Sequence, residues 1–349
     1  MKCRIRTLIF EATVACSLNC RHCYNVQKIS AQYPKNLLDT AHTVQVLKEA
    51  LNQTGCEQLI LTGGEIYTRP DVNEILEAVQ DSRVRSIHIM TNGSFLDAEK
   101  VAFAKAHRVR LFEISFISAD RAVFDAESRA VGFSAFDNAV AATQECIRQN
   151  VLVSHVFVAT KRNIATLPET LKLSYALGVR NFSFNRFNPC GNGRDCVDEL
   201  QLSPAEITEA LKICEAFAVV HPDLAIHAPI NIPPCLVNLR PFKHITFTLC
   251  GVGFKQNILV MDYLGNIRLC SFSPTIIGNV RDMSIDAMFH SDRAAQFIQA
   301  HPRFCDSCKI VKKCQGGCKA SADNCFGDAA RENPFLARYK TEPLRGFWG

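Results

Sequence analysis

Alternating strand-like and helical runs predict an α/β fold, a partial (β/α)6 barrel of parallel strands followed by a small cysteine-rich domain. Three observations carry this reading. Six strand-like runs recur between residues 6 and 186, several of them separated by segments of helical periodicity. Beyond about residue 220 that pattern stops and Pro and Cys become frequent. Cysteine makes up 17 of the 349 residues.

The predicted strands are RTLIFEAT (6–13), QLILT (58–62), VRSIHIMT (84–91), VRLFEISF (109–116), VLVSHVFV (151–158) and VRNFSFNR (179–186). Between them Val72, Ile75, Leu76 and Val79 follow a helical repeat, and Val44, Leu47 and Leu51 share a face. Gly55 and Gly178 stand where helix C-caps belong. After the sixth strand, Ser203, Pro204 and Glu206 spell a capping box with proline in the first turn. Repeated β-then-α units imply right-handed crossovers and a parallel sheet that curls into a barrel or part of one. INIPPC and the loss of periodicity put a boundary near residue 230, so 1–230 is read as the barrel. Residues 231–349 are read as the cysteine-rich domain with a C-terminal tail, helical only briefly near Ile285 to Ile298.

Composition narrows the function. The 39 Lys and Arg against 34 Asp and Glu give +5 with no runs of like charge, so nucleic-acid binding has no electrostatic footprint; an acidic peptide is compatible. MKCRIRTLIF lacks the order of a secretory signal, and no apolar stretch approaches the roughly 20 residues that span a bilayer. A cytoplasmic chain this rich in cysteine points to metal ligation before disulfides.

In a barrel of parallel strands chemistry collects at the C-terminal strand ends. CSLNCRHCYN (16–25) follows strand one, TGGE (62–65) strand two and TNGS (91–94) strand three. Ser115 closes strand four, TKRN (160–163) follows strand five and NPCGNG (188–193) strand six. Each alone is an ordinary turn; together they put six unusual loops at one mouth. Cys16, Cys20 and Cys23, spaced C-x3-C-x2-C, provide one thiolate too few for a closed zinc site or for every iron of a four-iron cluster, leaving one position open. Three core cysteines, or half of a zinc site completed elsewhere, would read the same.

With Tyr24 beside the last cysteine and GGE after the second strand, residues 5 to about 215 resemble the radical S-adenosylmethionine (radical SAM) enzymes, whose barrels are TIM-like. The resemblance implies a 4Fe-4S cluster on Cys16, Cys20 and Cys23, with S-adenosyl-L-methionine chelating the open iron. Carried over, Gly63, Gly64 and Glu65 hold the methionyl amino group, Ser115 the ribose and Arg129 the carboxylate, with Tyr24 by the adenine. Arg129-Ala130 departs from the common Arg-Gly, and GGEIY from GGEP.

Cys250, Gly265 with Cys270 five residues later, CDSCKIVKKCQGGC (305–318) and Cys325 resemble the SPASM extension of enzymes that modify peptides. C-x2-C pairs also occur in zinc ribbons. The SPASM resemblance implies two auxiliary 4Fe-4S clusters, one on Cys305, Cys308, Cys314 and Cys325, the other on Cys250, Cys270 and Cys318. The fourth ligand of the second is Cys235, Cys190 or Cys196, or an open iron. Cys3, Cys56, Cys146 and Cys214 fall in strand or helix patterns and read as small core residues.

The implied function is reductive cleavage of S-adenosylmethionine to a 5′-deoxyadenosyl radical and modification of a ribosomally made precursor peptide by crosslinking, epimerisation or backbone excision. Sulfatase formylglycine formation or tetrapyrrole biosynthesis is the alternative, and a non-catalytic iron–sulfur or zinc scaffold the last. No catalytic acid, base or radical-quenching residue is assigned. The implied partners are the precursor peptide and an external electron donor of flavodoxin or ferredoxin type. Because the first strand starts within about ten residues of Met1, leader recognition is expected from a separate small protein or from this chain's own surface.

Overall fold

The computed structural model describes residues 5–30, 39–252 and 258–340. The six expected strands are β1 (Thr7–Glu11), β2 (Gln58–Thr62), β3 (Ser86–Thr91), β4 (Val109–Ser115), β5 (Leu152–Ala159) and β6 (Asn181–Arg186). They pair in chain order and in parallel. The sheet does not stop there. β7 (Ala225–Ala228) and β8 (Ile245–Phe247) add two further parallel strands beyond β6. On the opposite edge β9 (Ile258–Asp262) lies parallel to β1, followed by antiparallel β10 (Asn266–Arg268) and β11 (Ile276–Asn279). These strands run only three to five residues, too short for periodicity to mark them. Residues on both sides of position 230 therefore feed one sheet, ordered β11-β10-β9-β1-β2-β3-β4-β5-β6-β7-β8.

The helices between strands bury one face, as their apolar spacing requires. Val72, Ile75, Leu76 and Val79 are all buried in the helix Val72–Val79. The helix Thr40–Thr54 is turned slightly from its expected face, burying Thr43, Val46, Leu47, Ala50 and Leu51 and leaving Val44 half-buried. The reason is polar: the Thr43 hydroxyl accepts from the buried Arg69 guanidinium at 3.1 Å. Gly55 caps this helix in the left-handed region at φ 59°. The capping box at Ser203 and Glu206 is formed, with Pro204 opening the helix Pro204–Val220.

At the mouth end of β1, Glu11 is buried against Arg268 of β10, and Gln27 also donates to it. Burial raises the Glu11 carboxyl to about 7, the Arg268 guanidinium pulling the other way. Arg268 also donates to the Ser271 and Ser273 carbonyls at 3.2 and 2.9 Å, so this pair fastens the C-terminal region to the first barrel strand. Removing one partner strands a buried charge. Glu11→Ala is expected to cost about 3–5 kcal/mol in denaturant unfolding, and Glu11→Leu with Arg268→Met to recover most of it. A loss under about 1 kcal/mol in the single variant would show that the pair does not fasten the sheet.

Candidate functional site

The cysteine loop after β1 is laid onto its neighbours by backbone. Ala12 N–H donates to the Thr62 carbonyl at 2.8 Å, Gly64 N–H to Thr13 at 2.7 Å and Glu65 N–H to Ala15 at 2.7 Å. A Cβ on Gly63, which sits at φ 146°, would meet the Thr13 oxygen at 2.3 Å, and one on Gly64 would meet that of Ala15 at 2.1 Å. Two glycines are therefore required for the chain segments to approach this closely. From the loop after β3, Asn92 Nδ2 reaches Cys16 Sγ at 3.7 Å and Ser17 Oγ at 3.2 Å. The Ser128 and Glu127 carbonyls accept from Asn19 and Arg21 N–H at 3.2 and 3.1 Å. From the loop after β6, Gly193 N–H donates to the Cys23 carbonyl at 3.2 Å and Asn192 Nδ2 to that of Cys20 at 3.2 Å.

Cys16, Cys20 and Cys23 are thus held half-buried and together by four other segments. Burial pushes the Cys16 and Cys20 thiols up, and the other thiols of the loop add to it. Ligation to iron removes those protons, because the thiolate is the ligand. Leu18 N–H, at 3.4 Å from Cys16 Sγ, is placed to stabilise the thiolate.

The remaining mouth residues take different places. Glu65 is buried, with Oε1 accepting from Thr91 Oγ1 at 2.8 Å and Tyr67 N–H at 3.2 Å and Oε2 from Asn92 N–H at 2.7 Å. Its carboxylate joins the loops after β2 and β3. Tyr24 packs on Phe272 with ring centroids 4.8 Å apart, and burial raises its phenol. Ser115 is exposed at the end of β4. Arg129 is exposed and ends the helix Arg121–Ser128 at φ 50°, two residues beyond Glu127.

The C-terminal cysteines form two sets, and their membership differs from the expected one at a single position. Cys235, Cys305, Cys308 and Cys314 line one cavity, together with Pro233 and Leu336. Cys325 is elsewhere, its thiol donating to the Pro189 carbonyl at 3.2 Å on the helix Lys319–Phe326. The second set gathers about Cys318, whose charge acts on Cys250, Cys270, Cys190 and Cys325. Asn188 Nδ2 bridges two of its sulfurs, at 3.3 Å from Cys318 and 3.7 Å from Cys190. Cys235 is therefore withdrawn as a candidate for this set, since it faces the other. Cys196 closes the short turn Gly191–Cys196. Cys56, Cys146 and Cys214 are buried among apolar side chains, and Cys3 lies outside the described residues.

Two buried cations test whether these thiols suit iron–sulfur clusters. Arg186 is 2% exposed; Nε donates to Asn231 O at 2.7 Å and Nη1 to Phe187 O at 3.1 Å, while Nη2 meets no partner among the described residues. The anionic groups near it are Cys318, Cys190 and Cys314. Lys319 is also buried, donates to the Phe297 and Ile298 carbonyls, and is pushed down to about 8 by burial against the pull of Cys250 and Cys318. With neutral thiols these charges are uncompensated; with cluster thiolates they are matched. Among the described residues no three His, Cys, Asp or Glu side chains close around a single metal ion. One thiolate per iron of a polynuclear cluster is the donor set that fits.

Sequence reasoning overlooked Arg186, Lys319, Asn92 and Asn188. Arg186 was legible: Phe182 and Phe184 are buried, and period two puts Arg186 on the same face. The asparagines carry no such signal.

The Radical SAM superfamily model matches residues 10–173, and the iron–sulfur cluster-binding SPASM model matches 250–315. The chain belongs to the radical SAM superfamily. More narrowly it is a radical SAM/SPASM enzyme, whose cofactors are S-adenosyl-L-methionine, a 4Fe-4S cluster and auxiliary iron–sulfur clusters. It is 27% identical over 326 residues to the antilisterial bacteriocin subtilosin biosynthesis protein AlbA of Bacillus subtilis, covering 88% of this chain and 66% of AlbA. It is 25% identical over 350 residues to the AdoMet-dependent heme synthase of Methanosarcina barkeri, covering 95% of each. The structure of native anSMEcpe with bound AdoMet and Cp18Cys peptide superposes with a TM-score of 0.70 at 18% identity, covering 96% of this chain and 94% of that one.

Gly64→Ala should displace the cysteine loop, so that the chain loses the iron of the Cys16, Cys20 and Cys23 cluster and keeps its auxiliary iron. Iron analysis with electron paramagnetic resonance checks this. A full complement of iron would mean that the close approach of Gly64 to Ala15 is dispensable.

Proposed function

We propose that this chain is a maturase that modifies a ribosomally synthesised precursor peptide by radical chemistry. The observation that carries the reading is a three-cysteine loop and two further thiol sets around one barrel mouth, in a chain whose relative AlbA is named for bacteriocin biosynthesis. In this reading Cys16, Cys20 and Cys23 hold the cluster that binds S-adenosylmethionine. Gly63, Gly64 and Glu65 shape the seat of its methionyl amino group, Ser115 and Arg129 hold ribose and carboxylate, and Tyr24 lies by the adenine. Because Thr91, Asn92 and Tyr67 already engage the Glu65 carboxylate, that residue acts chiefly by fixing the loop backbone.

When bound and reduced, cluster and cofactor together supply a 5′-deoxyadenosyl radical able to take hydrogen from an unactivated carbon. The chain's own residues do the rest: four segments fix the cysteine loop, and the sheet sets the substrate against it. The division into 1–230 and 231–349 is then one of chemistry, radical generation against auxiliary clusters, within a continuous sheet. Cys250, Cys270 and Cys318 hold one auxiliary cluster, with the buried Cys190 beside them to close it. The electron arrives from a flavodoxin- or ferredoxin-type donor, and a separate small protein or the chain's mildly basic surface engages the peptide leader. Such thiols stay reduced in the cytoplasm. Among the described residues no helix is long and apolar enough to cross a membrane.

A second reading, side-chain chemistry on a tetrapyrrole, is favoured by the end-to-end match to the heme synthase. Incubation with S-adenosylmethionine and dithionite separates the two. The proposed function expects 5′-deoxyadenosine release to rise with a precursor peptide that also changes mass, and a carboxylated tetrapyrrole to have no such effect; the reverse result supports the second reading.

Replacing Cys16, Cys20 and Cys23 together with alanine is expected to abolish 5′-deoxyadenosine formation and to leave about two thirds of the iron bound. Undiminished cleavage in that variant would remove the assignment.

A further inference from the structure

We infer that Cys235 supplies the fourth thiolate to the cluster held by Cys305, Cys308 and Cys314, in the place the C-terminal Cys325 was expected to fill. The inference rests on the auxiliary-cluster reading above and concerns which residues of this chain serve it. Cys235 lines the same cavity as the other three cysteines. Cys314 and Cys308 are the thiols near enough to act on it, and Cys305 feels Cys314, Cys235 and Cys308 together. Cys325 is acted on by Cys318 instead, and its sulfur is bonded to the Pro189 carbonyl.

The loop bearing Cys235 is built to hold that position. Leu236 and Val237 N–H donate to the Pro233 carbonyl at 2.9 and 3.2 Å, closing a turn that contains the cysteine. Asn231, just before it, donates to the carbonyls of Cys314 at 3.0 Å and Gly317 at 3.2 Å. Gly317, at φ 87°, leaves only 3.1 Å from a notional Cβ to Pro233 Cγ. The turn that follows Cys314 and the turn that carries Cys235 are therefore clamped face to face. Across the cavity Leu336, from the C-terminal helix Pro334–Tyr339, offers an apolar wall and no ligand.

Four cysteines around one cavity make a closed cluster. Each thiol gives its proton to solvent as it binds an iron, and no iron is left for substrate. This cluster can pass electrons or brace the fold, but it cannot anchor the substrate through a vacant coordination site.

The test uses the full chain, reconstituted anaerobically with iron and sulfide, in a Cys16, Cys20 and Cys23 alanine background that removes the radical cluster. The reference is the electron paramagnetic resonance component that Cys308→Ala removes or converts to a three-iron signal. Cys235→Ala should alter that same component, and Cys325→Ala should leave it intact. Cys235→Ser, which keeps the volume and replaces sulfur with oxygen, should shift the component and leave the other auxiliary signal unchanged, so a general folding defect is told apart. An unshifted component in Cys235→Ser, or its loss in Cys325→Ala, would overturn the inference. A background chain that binds no auxiliary iron would overturn the reading beneath it as well.

Discussion

Everything at this barrel mouth depends on how closely the turn after β2 lies against the segment leaving β1. Three successive backbone hydrogen bonds, from Ala12, Gly64 and Glu65, align residues 12–15 with 62–65, and two glycines make the distance possible. That alignment fixes where Cys16 begins its loop. Glu65, locked to Thr91 and Asn92, then brings the loop after β3 into place, so that Asn92 reaches the Cys16 sulfur. A single backbone approach thus orders three of the loops.

Burial of charge is the second organising term. A cation such as Arg186, with an unpartnered nitrogen in an apolar setting, is costly unless a negative group faces it. It lies between the two auxiliary thiol sets, near Cys314 of one and Cys318 and Cys190 of the other. Its position makes sense when both sets are thiolates bound to iron. The same holds for Lys319 beside Cys250 and Cys318. Metal loading and folding of the C-terminal region are coupled on these grounds, since the loaded state removes an electrostatic cost that the unloaded one carries.

The six barrel strands and the Cys16, Cys20 and Cys23 loop were legible because long alternating runs and close cysteine spacing are local signals. β7 to β11 were not: AIHA, ITF and NIR have too few residues to declare a period, and they exist because neighbouring strands offer edges to pair with. The exchange between Cys235 and Cys325 failed for a related reason. Spacing in sequence ties Cys325 to Cys318, eleven residues beyond Cys314, whereas the partner in space sits in a loop far earlier in the chain, clamped by Asn231 and Pro233. Ligand sets that interleave are decided by such long-range packing.

The loop after β6 connects these regions physically. On one side Gly193 and Asn192 bond to the backbone of Cys23 and Cys20, and Gly191, at φ 52°, leaves 2.6 Å from a notional Cβ to the Cys23 carbonyl. On the other side Asn188 holds the sulfurs of Cys190 and Cys318, and the Pro189 carbonyl accepts from Ser321 and Cys325. Six consecutive residues, 188 to 193, therefore touch both the radical-cluster loop and the second auxiliary set. A shift of this loop on substrate entry moves both together. Its many polar ties and the tight fit of Gly191 argue that it is a rigid spacer, holding the clusters at a fixed separation, which is what repeated one-electron exchange between them requires.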